Sequence, residues 1–170
     1  MLLNPFRSML TSLAKSLQNP ENARMFLQKG GLQALAAVIK QSKDKEDIFY
    51  AASNAFLNLV DNGGEQAITM LEDPACVDAL CSMVNAHEMF ANPMSLEDLT
   101  RAVGCVAKMK LSPATVNEML KNKPLNSLVK ILVQSDGALA RVLPDALLSE
   151  VYVWCICRSA AVGASRSSAG

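Results

Sequence analysis

VYVWCIC, residues 151–157, is the densest run of β-forming side chains in the chain. Taken alone it fits a buried strand, a reactive dithiol or part of a helix. Its position decides between them. Fifty residues upstream stands GCVAKM (104–109), and fifty before that NAFLNL (54–59). In this register Ala55, Cys105 and Cys155 repeat a small apolar residue, while Phe56, Val106 and Ile156 repeat a large one. A step of 43 back from Asn58 reaches Lys15 in TSLAKSL (11–17). VYVWCIC therefore occupies the long-helix slot of the last copy, and helix is expected there, because burial overrides a weak strand preference. Left exposed, the same run is an aggregation hazard.

The rest of the chain supports that choice. LQALAAVIK, DIFYAASNAFLNLV, VDALCSMV, LEDLTRAVGCVAKM and LNSLVKILV all space apolar residues three or four apart. Breakers fall between them: Gly30-Gly31, Asn62-Gly63-Gly64, Asp73-Pro74, Asn92-Pro93, Ser112-Pro113 and Lys123-Pro124. GGLQALAAVIKQ, DPACVDALCSMV and KPLNSLVKILVQ each open a helix, at Gly31, Pro74 and Pro124, 43 and 50 residues apart. A longer helix follows each. Self-similarity at this period predicts an all-α chain folded as an α-solenoid.

One unit is read whole in ENARMFLQKGGLQALAAVIKQSKDKEDIFYAASNAFLNLVDN, residues 21–62. A short helix, a glycine turn, a second helix and a long third helix ending in NAFLNL resemble the armadillo repeat family. The resemblance implies a right-handed superhelix of about three and a half repeats forming one domain over residues 1–162. Its parts are a partial unit at 3–19 and units at 21–62, 65–111 and 114–161, with a disordered tail at 163–170. The later units depart from the family pattern. Proline replaces the glycine turn, and seven extra residues lie mainly in NAHEMFANPMS (85–95).

In that family the third helices line a concave groove, and residues four apart on them hold an extended peptide. The matching pairs here are Thr11 with Lys15, Asn54 with Asn58, Gly104 with Lys108, and Trp154 with Arg158. The resemblance implies that the Asn58 carboxamide bonds a partner's backbone. Lys15, Lys108 and Arg158 form a cationic row, which favours an acidic extended segment as ligand. The same lysines and arginine also suit an ordinary solvated surface. Trp154 suits a stacking platform, core packing, or a local contact with Arg158.

Composition narrows the function. At 170 residues, 51% hydrophobic and 19% charged, the chain is about one foldable domain. Sixteen basic and sixteen acidic residues cancel, so no basic field invites nucleic acid. No apolar run approaches the roughly 20 residues of a membrane span. Five cysteines without a secretory signal favour a reducing, cytoplasmic setting. The alternative is mitochondrial, because the first 18 residues carry Arg7, Lys15 and several hydroxyls but no acid, as transit peptides do. Cys155 and Cys157, two apart on a helix, diverge, and the cysteines are expected to be small core residues without a metal. His87 beside Glu88 has no nucleophile in a fixed motif. A non-catalytic interaction module without cofactor is expected, binding a protein along the groove or through apolar end helices. A permanently bound subunit of a large complex is the alternative.

Overall fold

The computed structural model describes residues 5–92 and 94–109, and every regular element within them is an α-helix. The unit expected at 114–161, the tail, Trp154 and Arg158 lie outside the described residues.

The helix ends follow from local chemistry. After α1 (Pro5–Ser16), Asn19 caps α2 (Pro20–Gln28), its Oδ1 accepting from the Glu21 N–H at 2.8 Å and from that of Asn22 at 3.4 Å. Pro20 sits in the first turn, where a missing N–H costs nothing. Gly30, at φ +76°, then turns the chain through the left-handed region. At Gly31, which opens α3 (Gly31–Gln41), a Cβ would stand 2.2 Å from the Phe26 ring, so only glycine lets α2 and α3 approach this closely. The long α4 (Glu46–Asn62) follows, then α5 (Gly64–Met70). Asp73 caps α6 (Pro74–Val84) through the Ala75 N–H at 2.9 Å. Ser95 caps α8 (Leu96–Lys108), accepting from the Asp98 N–H at 3.1 Å.

Between α6 and α8 lies a short helix, α7 (Ala86–Met89), within the segment read as extra length. The residues after it are clasped to α4. Phe90 packs on Phe49 and Tyr50 with ring centroids 5.1 and 5.4 Å away. The Tyr50 hydroxyl donates to the Asn92 carbonyl, and Asn92 Nδ2 donates to Glu46 Oε1 at 2.8 Å.

Burial locates the centre. In α4 every residue from Ala55 to Val60 is buried, and in α6 every residue from Ala79 to Val84. Such all-round burial requires neighbours on several sides. α4 has them in α1, α2, α3, α5 and α8, and α6 in α3, α7 and α8. Phe49, Phe56, Leu27, Leu32, Ile39 and Leu80 are among the large side chains fully enclosed in this core.

Candidate functional site

Three helices lie side by side with one polarity. Near its start α1 places Arg7 and Thr11 around a hollow shared with residues 44–47, Tyr50 and Ala51 of α4. Near its end, the Ala14 carbonyl meets Asn58 of α4 at 2.9 Å. α1 and α4 therefore run parallel. Asn92, just ahead of α8, bonds Glu46 near the start of α4, while Arg101 of α8 reaches Asn58 and Asp61 near its end. α8 thus runs parallel to α4 as well.

Of the residues expected to line the groove, Lys15, Asn54, Asn58 and Lys108 are described and lie on these three helices. Lys15 and Lys108 are exposed and Asn54 is half-buried. Asn58 is placed differently from expectation. It is buried, and its carboxamide is occupied within the chain. Nδ2 donates to the Ala14 carbonyl at 2.9 Å and to Asn54 Oδ1 at 3.3 Å, while Oδ1 accepts from Arg101 at 2.6 Å. Its backbone carbonyl accepts from Asn62 Nδ2 at 2.9 Å. A group so bonded serves the packing of three helices and does not lie open to a partner's backbone.

Arg101 is the residue that sequence reading missed. Its guanidinium ties Asp61 at 2.8 Å and Asp98 at 3.0 Å while holding Asn58. The spacing of 50 residues led to Lys108 opposite Asn58; the cation that reaches it stands seven residues earlier. Arg101 follows LEDLT in a helical pattern, and nothing local to it distinguishes a tie from a solvated arginine. Lys15 and Lys108 are the two expected cations that stand exposed here. At the other end of the surface Asp44, Glu46 and Asp47 face Arg7 and Lys45 around the hollow, so charge there is mixed.

The described cysteines, Cys76, Cys81 and Cys105, are buried. Burial, with Asp73 as a lesser cause, pushes the Cys76 thiol up to about 12. Burial, with Asp61 next, does the same to Cys105, against the opposing pull of Lys108 and Arg101. Both are neutral thiols at physiological pH, and thiolate chemistry is disfavoured there. Burial and the neighbouring Glu46 raise the Tyr50 phenol. Among the described residues no three metal-ligating side chains form a cluster, and no helix is long and apolar enough to cross a membrane. Comparison with protein-family models, with curated proteins and with solved structures finds no match.

Proposed function

We propose that the chain is a non-catalytic protein-interaction module, built as a right-handed α-solenoid of armadillo-like units. One observation carries this reading: helices of the same rank neighbour one another in successive units. The long helices α1, α4 and α8 adjoin, as do the second helices α3 and α6 and the first helices α2 and α5. Such like-on-like contact is how a solenoid buries one continuous core. The surface made by the long helices is then the place for a partner segment. With Asn58 engaged internally, Lys15 and Lys108, together with Arg158, which lies outside the described residues, would read carboxylates on an acidic segment.

The experiment is affinity capture with the full chain, identification of the partner by mass spectrometry, then Lys108→Glu combined with Arg158→Glu. Each exposed charge contact contributes only a few tenths to about 1 kcal/mol, so reversal of sign is a sharper test than deletion. Binding falls more than tenfold with helicity and melting unchanged. Unchanged binding would move the partner off this surface. The module belongs on the cytosolic side in this reading, supported by the three buried thiols and by the packing of α1 into the core through Leu10 and Ala14. A second reading, a subunit held permanently in a larger complex, is favoured by apolar side chains left open on α1 and α2. It predicts that the isolated chain is not a monodisperse monomer.

A further inference from the structure

The bonds of Asn58 set a common level across the three parallel helices, where Ala14 of α1, Asn58 of α4 and Arg101 of α8 meet. Charged side chains stand just past that level, toward the helix ends. Lys15 follows Ala14 by one residue, Asp61 follows Asn58 by three, and Lys108 follows Arg101 by seven. At about 1.5 Å per residue, these offsets are roughly 1.5, 4.5 and 10.5 Å. α4 adjoins both α1 and α8, and packed helices stand about 8–10 Å apart. The three charges therefore fall on one slanted row, positive, negative, positive, in steps of about 10 Å. All three are turned to the same surface. Lys108 stands two turns beyond Arg101 on one face of α8, and Lys15 one turn beyond Thr11, which lines the hollow between α1 and α4. The Cys105 thiol feels Asp61, Lys108 and Arg101 together. Arg101 does not cancel the middle charge, because it is shared between two carboxylates, Asp61 and Asp98. The Asp61 side chain is 38% exposed against 21% for Arg101, so the carboxylate is the more open side of the pair. The floor beside the row is polar, with Asn54 and Asn62 half-buried. A Cβ placed on Gly104 would meet nothing within 4 Å, which leaves headroom over α8.

We propose that this row reads an extended partner segment carrying acid, base and acid at every third residue, the acids on Lys15 and Lys108 and the base on Asp61. A polyproline II chain rises about 3.1 Å per residue with three residues per turn, so every third side chain returns to one face after about 9 Å. That spacing matches the row. A partner helix docks through an apolar face, which a polar floor suits poorly. An extended chain instead keeps its backbone groups open to bond with such a floor. Asp61 also gives the row selectivity, since a uniformly acidic segment would set like charges against each other at the middle position. The proposal rests on the groove reading and adds to it a middle position of opposite sign.

The test uses the full, isotope-labelled chain and synthetic peptides with capped ends, titrated by heteronuclear NMR at low salt. One peptide is Glu-Pro-Pro-Lys-Pro-Pro-Glu, and the second replaces its central lysine with glutamate. The first should bind at least fivefold tighter, although it is the less acidic. Glu-Pro-Lys-Pro-Glu, with the charges two residues apart, should bind at least threefold weaker than the first. Asp61→Asn keeps an oxygen to accept from Arg101, and it should abolish the preference for the first peptide over the second with helicity unchanged. Tighter binding of the second peptide, lost in Lys108→Glu, would overturn the middle position while the acidic groove stands. Binding of neither peptide overturns the proposal, and the groove reading falls with it only if partner capture is also insensitive to Lys108→Glu with Arg158→Glu. Four further results would each overturn it: equal binding of the two longer peptides, equal binding of the shorter one, an unchanged preference in Asp61→Asn, or tighter binding of a helical peptide with the same charges seven residues apart. Self-association in sedimentation that Asp61→Asn abolishes would assign the row to a second copy and equally overturn it.

Discussion

Asn58 joins three helices through one buried side chain, donating to the Ala14 carbonyl of α1 and accepting from Arg101 of α8. Removing either partner leaves a shielded polar group without its bond, and that desolvation outweighs the modest net value of a hydrogen bond. Asn58→Ala and Arg101→Ala should each cost about 1–3 kcal/mol. Because they share a bond, their effects should fall short of additivity by more than about 0.5 kcal/mol in a double-mutant cycle. Strict additivity in chemical denaturation would mean that the two side chains act independently. Cys76 and Cys105 have a different signature. Both thiols are pushed up to about 12, first by burial. The folded state thus favours the neutral form. The stability this contributes is fully present below the ordinary thiol value, about 8.5, and is lost as pH rises toward about 12. Denaturation midpoints should fall above about pH 9, and Cys105→Ala should make that decline shallower. The substitution is mild because Ala55 holds the corresponding slot in α4.

The elements were partly legible because their ends are written locally. Gly30-Gly31 and Asp73-Pro74 read as breakers, and they do separate α2 from α3 and open α6. The all-helical character of the described residues was likewise readable from apolar spacing. α7 and the clasp after it were not, since Tyr50 meets Asn92 across 42 residues and no local pattern in NAHEMFANPMS announces an aromatic partner. The burial of Asn58 was illegible for the same reason. Its bonds run to residues 44 and 43 positions away, and a carboxamide on an amphipathic helix looks the same whether it faces water or a neighbouring carbonyl. Caps are the local signals with a testable price in stability. Asn19→Ala removes the acceptor that holds the Glu21 N–H at 2.8 Å and should destabilise the chain by about 1 kcal/mol. Because the cap acts on α2, hydrogen exchange should speed up over residues 20–28 before it does in α4. Uniform acceleration along the chain would mean that α2 does not open separately.

At the scale of the molecule, α1 is the element whose status matters most. If the first 18 residues are a targeting segment, the mature fold is complete without it. The packing argues otherwise. α1 makes the most extensive contact with α4 of any helix, and Leu10, Ala14 and Leu17 at its end are almost wholly enclosed. Burying each leucine contributes about 1.5–3 kcal/mol. Losing both, with the donor of Asn58 left bare at a further 1–3 kcal/mol or so, removes roughly 4–9 kcal/mol. Domains of this kind are stable by only about 5–15 kcal/mol. A chain lacking residues 1–18 should therefore melt tens of degrees lower or fail to fold, with near-ultraviolet dichroism lost, while single substitutions at exposed Lys15 change little. Edman sequencing of protein isolated from cells should correspondingly find α1 retained. Should the shortened chain instead keep its melting temperature and helicity, α1 would be an appendage to a core that begins at α2, and the cleaved, organellar form would become the better description.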